Sequence, residues 1–96
     1  MITSKQRAYL RSLAQNLTPI FQIGKNGVND NQIKQISDAL EARELIKINL
    51  LDSTPDDKHE IANELAEKTN SDVVQIIGKK ITLYKRSEKT PKIELP

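Results

Sequence analysis

The sequence predicts a single compact α/β domain in the order helix, strand, helix, strand, helix, strand, strand, with a mixed four-stranded sheet packed with helices. Three observations lead there. Apolar residues recur at helical spacing in three segments: Leu10, Leu13, Ala14 and Leu17; Ile33, Ile36 and Leu40; and Ile61, Ala62, Leu65 and Ala66. Short apolar runs, "PIFQI", "ELIKINLL", "DVVQII" and "KITLYKR", alternate with and follow those segments. The chain of 96 residues also lacks an internal repeat or an interdomain linker, which favours one core.

The first helix is expected over 4–16, with Thr3 and Gln6 at capping-box spacing and Pro19 stopping continuation. Residues 19–23 read as a short strand, followed by the turn "GKNG" at 24–27. A second helix is expected over 30–42, opened by Asn29 and Gln32. In the strand 44–51, Ile46, Ile48 and Leu50 alternate with Lys47 and Asn49, so Lys47 faces solvent or pairs with Glu44.

The third helix is expected over 55–69, with Thr54 as cap, Pro55 at the first helical position and Asp57 at the third. Strands at 72–77 and 80–86 flank a two-residue turn, Gly78-Lys79. The two strand–helix–strand connections imply parallel neighbours, and the hairpin is antiparallel. Residues 1–86 form the domain; 87–96 hold two prolines and no pattern, and are expected to be a flexible tail.

Composition excludes several classes. There is no cysteine for a disulfide framework or thiolate site. No run is apolar enough to span a bilayer, and the start lacks a signal peptide's pattern, so a cytoplasmic protein without membrane attachment is expected. The lone histidine, His59, sits between Lys58 and Glu60 with no spacing that makes a metal site. Serines lack a nucleophile motif, and adjacent Asp56 and Asp57 are poorly placed as an acid/base pair. The expectation is therefore no enzyme, no cofactor and no metal.

The net charge of +2 is unevenly spread: residues 1–50 carry seven bases and four acids. Two of the chain's three glycines, Gly24 and Gly27, bracket Lys25 and Asn26 between a strand and a helix. Glycines permit close backbone approach, and a helix start presents free N–H groups. Neither a P-loop nor a dinucleotide fingerprint is present. The pattern suits a short phosphate clamp like the GXXG loop that grips single-stranded nucleic acid.

Candidate binding residues are Gly24, Lys25, Asn26, Gly27 and Asn29 at the loop, Lys34 on the following helix, and Arg7 and Arg11 on the first. The terminal hairpin adds Lys79, Lys80, Lys85 and Arg86, with Tyr84 able to stack on a base or pack on the sheet. Tyr9, Phe21 and Tyr84 are the only aromatics, too few for a stacking platform, so phosphate and shape contacts should dominate.

Three landmarks, "LRSLAQNLTPIFQIGKNGV" at 10–28, "ALEARELIKINLL" at 39–51 and "VVQIIGKKITLYKR" at 73–86, resemble the bacterial stand-alone CRM domains, the YhbY-like RNA-binding proteins associated with ribosome assembly. The resemblance covers about residues 3–86. It implies a layout similar to the C-terminal domain of translation initiation factor three, and RNA binding through Gly24, Lys25, Asn26 and Gly27. The family's Glu-Leu-Ile-Lys run corresponds to Glu44, Leu45, Ile46 and Lys47. Arg43 stands where many members carry histidine, and "LYKR" where "LYR" is common. The implied partners are ribosomal RNA or large-subunit precursor particles, with ribosomal proteins nearby, and the chain is expected to act as a monomer. The alternative is a protein-interaction module docking on a ribosomal or assembly-factor partner with incidental RNA contact.

Overall fold

Three helices and four strands form in the expected order in the computed structural model, which describes residues 2–54 and 57–96. They are α1 (Ser4–Ala14), β1 (Phe21–Ile23), α2 (Asp30–Arg43), β2 (Leu45–Leu50), α3 (Lys58–Thr69), β3 (Asp72–Ile77) and β4 (Lys80–Tyr84). The sheet order is β1-β2-β4-β3. β1 runs parallel to β2, and β4 pairs antiparallel with both β2 and β3. One expectation is corrected here: β2 and β3 are not neighbours, because β4 returns from the hairpin and inserts between them.

Helices cover both faces. Ile46, Ile48, Leu50, Ile81 and Leu83 point to one face and pack with Ile36 and Leu40 of α2 and Ile61, Ala62 and Leu65 of α3. On the other face α1 places Leu10 and Ala14 against Leu45, Val74 and Tyr84. Val74 reaches that cluster through a register shift between Val73 and Gln75.

The caps account for the helix boundaries. Thr3 and Gln6 form both halves of a capping box. At α2, Asn29 Oδ1 accepts from Gln32 N at 2.9 Å, but the Gln32 side chain turns to the Gln22 carbonyl at 3.3 Å. At α3 the cap is Asp57, whose carboxylate accepts from His59 N, and not Thr54. The Thr54 hydroxyl instead contacts the carbonyls of Ile23 and Leu51, each at 2.7 Å. The expected Pro55 helix start lies outside the described residues. Lys47 does not pair with Glu44: its Nζ donates to the Ala14 carbonyl at 2.8 Å, placing a cation at the C-terminus of α1.

No helix or strand forms after Tyr84, yet the segment is tied to α2. Glu44 is fully buried with φ of 66°, and ends α2 by donating its N–H to the Leu40 carbonyl. Its own carbonyl accepts from Lys85 N, one further bond in the β2–β4 register, and β4 itself ends at Tyr84 rather than at the expected 86. Its carboxylate accepts from Ser87 N at 2.9 Å, Lys92 N at 2.6 Å and Ile93 N at 2.7 Å. Glu41, one turn earlier, accepts from Ser87 Oγ and from Glu88 N at 2.9 Å. Ile93 and Leu95 then pack against the α1 cluster.

Both carboxyls are held below the usual glutamate value. Burial pushes Glu44 up, but the amides of Ser87, Ile93 and Lys92 and the Arg86 charge together outweigh it. The Ser87 hydroxyl does most to lower Glu41, aided by the Glu88 amide and opposed by burial. A lowered folded value stabilises the protein above the unfolded one and loses that contribution as pH falls through the folded one. Stability is therefore expected to decline below the ordinary glutamate value of about 4.3. Glu44→Gln is expected to lower unfolding free energy at neutral pH by about 1.5–3 kcal/mol, to flatten that acid slope, and to speed exchange of the Ser87, Lys92 and Ile93 amides. Urea titration across pH with hydrogen exchange measures all three.

Candidate nucleic-acid interface

The GKNG stretch is a closed turn: Gly27 N donates to the Gly24 carbonyl at 2.9 Å, which places Lys25 and Asn26 exposed at its tip. Gly27 has φ of +66°, with no heavy atom within 4 Å of where a Cβ would stand. Gly24 needs no unusual φ, but a Cβ there would lie 3.3 Å from Leu51 Cδ1. The turn delivers the chain to Asn29, the cap of α2. Because Ile33 N makes a helical bond to Asn29 O and Gln32 N is capped, the Asp30 and Asn31 amides precede the intrahelical ladder. Those amides favour an anion, while the Asp30 carboxylate in the same turn offsets part of the field.

Register brings the hairpin lysines to this end. Gln22 lies opposite Asn49, and Asn49 opposite Lys80, so Lys80 stands two strand spacings, roughly 10 Å, from β1. Leu51 N donates to the Ile23 carbonyl and Leu50 N to the Lys79 carbonyl, which ties the loop after β2 to both neighbours. Lys79 is ion-paired with Asp52, and both side chains are exposed. Lys34, farther along α2, pairs with Asp38 at 3.3 Å on the surface. Exposed pairs of this kind contribute little and leave the lysine competent for another anion.

The other candidates lie elsewhere. Tyr84 pairs with Leu45 at the opposite end of the β2–β4 ladder, about 14 Å from Lys80 at ~3.4 Å per residue. Its side chain is 4% exposed in the α1 cluster, and burial pushes its hydroxyl pKa up, so no ring face is free for a base. Lys85 and Arg86 follow it there, beside Glu44 and the terminal segment. Arg7 donates to the carbonyls of Val73 and Val74, holding the β3 irregularity, while Arg11 is exposed on α1. The structure thus assembles Gly24, Lys25, Asn26, Gly27, Asn29, Lys79 and Lys80 at one end of the sheet. Sequence reasoning passed over Gln22 and Asn49, which stand between them; strand alternation was the signal available.

Among the described residues, no group of three or more His, Cys, Asp or Glu is placed to hold a metal ion. No helix there is long and apolar enough to cross a membrane.

The layered α/β domain thus presents, just before α2, a turn closed between Gly24 and Gly27 with Lys25 and Asn26 exposed. The profile of the CRS1/YhbY (CRM) domain matches residues 2–85, and the chain belongs to that family, one of non-catalytic domains. The chain is 55% identical over all of both sequences to the Bacillus subtilis protein named "Probable RNA-binding protein YqeI". It is 35% identical to a Haemophilus influenzae protein named "RNA-binding protein", covering 99% of this chain and 95% of that one. The solution structure of the hypothetical protein SAV1595 from Staphylococcus aureus is 56% identical, covers 100% of both chains and superposes with a TM-score of 0.84. The mixed four-stranded sheet and its helices match that fold.

Because the Gly27 Cβ position is open, substitution there tests backbone conformation alone. Gly27→Ala is expected to destabilise by about 1–2 kcal/mol, and Gly27→Asn by less, since asparagine tolerates the left-handed region. Thermal unfolding of the two variants checks that order.

Proposed function

We propose that this chain is a non-catalytic RNA-binding protein that engages ribosomal RNA or large-subunit precursor particles during ribosome assembly. It acts in the cytoplasm as a monomer. The observation that carries the reading is the Gly24–Gly27 turn closed immediately before α2, with Lys25 exposed at its tip and Lys79 and Lys80 across the same sheet end. Phosphate oxygens would accept from the Asp30 and Asn31 amides and from Lys25, while the hairpin lysines hold adjacent backbone. The names of the relatives support RNA as the ligand class.

A second reading, docking on a ribosomal or assembly-factor protein, draws on Tyr9 and Leu13. They lie four apart on α1 and are 39% and 36% exposed. It differs in being indifferent to Lys25.

The test is binding to a structured large-subunit ribosomal RNA fragment at two salt concentrations. With three lysines each neutralising a phosphate, a fourfold rise in salt is expected to weaken binding about 20-fold, using a slope near −0.7 per contact. Lys25→Glu, folded by circular dichroism, is expected to bind at least about tenfold more weakly and with a shallower salt slope. Unchanged binding would remove the turn from the site. Asp52→Asn releases Lys79 from its ion pair, so the expected outcome is severalfold tighter RNA binding. Stability should change by less than about 1 kcal/mol.

A further inference from the structure

One row of side chains crosses the whole sheet beside the GKNG turn. Gln22 of β1 pairs with Asn49 of β2, Asn49 with Lys80 of β4, and Lys80 with Ile77 of β3. By strand alternation these four point away from α2 and α3, toward the face that carries α1. There α1 packs over the other end of the ladder, at Leu45 and Tyr84. The next row toward α1 is closed: Lys47 is bonded to the end of α1, and Thr82 is 1% exposed. The row of Gln22, Asn49, Lys80 and Ile77 is open. Gln22 and Lys80 are exposed, Asn49 is half-buried and Ile77 is 63% exposed.

Among the described residues, the Gln22, Asn49 and Lys80 side chains make no intramolecular hydrogen bond; Gln22 uses only its backbone carbonyl, toward Gln32. Pro19, Ile20 and Phe21 join Gln22, Asn49 and Lys80 around a shallow groove of about 590 Å³. The row therefore runs from the Gln22 amide on β1 through the Asn49 amide and the Lys80 cation to apolar Ile77 on β3, with Pro19, Ile20 and Phe21 lining the groove beside its β1 end. It carries no carboxylate.

We infer that this row reads the base edges of unpaired RNA nucleotides whose phosphates are held at the GKNG turn, an inference that rests on the RNA-binding reading above. Phosphate contacts position a strand but carry no sequence information; base contacts specify it. A carboxamide offers a donor and an acceptor side by side, the complement of adenine N6 and N7. Those atoms are reachable when the nucleotide is unpaired, since the deep groove of an RNA duplex hides them. Lys80 suits a bridging phosphate, and Ile77 and Ile20 give apolar surface to the faces of bases splayed across the strands. The occupant is RNA rather than a protein strand because the row is a sheet face, not an edge, and its charge is positive beside a phosphate-suited turn.

The experiment measures binding of short single-stranded homopolymers of adenine, cytosine, guanine and uracil to the full chain, to Gln22→Ala/Asn49→Ala and to Lys25→Glu. Circular dichroism and thermal unfolding serve as folding controls. The expected result is a preference of about tenfold for adenine over uracil in the parent. That preference disappears in the double variant while salt-sensitive binding to uracil persists. Lys25→Glu lowers affinity for all four alike. A double variant that keeps the preference overturns the inference. So does a parent without preference whose binding still depends on Lys25, and that outcome leaves the phosphate clamp standing. Binding of no oligomer by any of the three proteins overturns this inference and, if the ribosomal fragment also fails to bind, the RNA reading with it.

Discussion

The Glu44 carboxylate joins parts of this fold that are far apart in sequence. It sits where α2 becomes β2, in a backbone conformation with positive φ, and is buried. A buried carboxylate is costly unless its lone pairs are filled, and here three amides of the terminal segment fill them. The same residue accepts Lys85 N through its carbonyl. One residue therefore ends α2 through its backbone N–H, extends the β2–β4 register through its carbonyl, and returns the last ten residues to the α1 face through its carboxylate. Glu41 repeats the arrangement one turn away with weaker enclosure.

The anchoring has a consequence for the opposite end of the sheet. β4 is held at Tyr84 and Lys85 and runs antiparallel between β2 and β3, so its first residues emerge beside the end of β2 and the end of β1. That places the Gly78-Lys79 hairpin in the same region as the GKNG turn. Gly78 has φ of +58°, which suits the first central position of a two-residue hairpin. The fold divides its labour along the strands. The Leu45–Tyr84 end is tied by apolar packing, Arg7 and the carboxylates, whereas the Asn49–Lys80 end is left with exposed lysines, free amides and a glycine turn.

Much of the fold was legible because its signals are local. Thr3 and Gln6, Asn29, and the Gly78 turn act over a few residues, and each sits where its spacing implied. Thr54 was misleading for the same reason: it is a good cap by composition, but the Ile23 carbonyl lies within hydrogen-bond reach and Asp57 takes the cap. The candidate site was legible in its turn and not in its extent. Tyr84, Arg7 and Lys25 look alike as members of polar or basic runs, yet the first is enclosed, the second is bonded to β3 carbonyls, and the third is exposed.

The sequence by itself determined the class of fold, the order of its elements and the turn that opens α2, since periodicity, capping and glycine placement are properties of neighbouring residues. Tertiary structure alone decided that β4 lies between β2 and β3, that Lys80 stands in line with Gln22 and Asn49, and that the terminal segment closes on Glu41 and Glu44. Those relations join residues separated by about thirty to fifty positions. They are set by strand register and by the need to satisfy a buried carboxylate, and no local pattern encodes either.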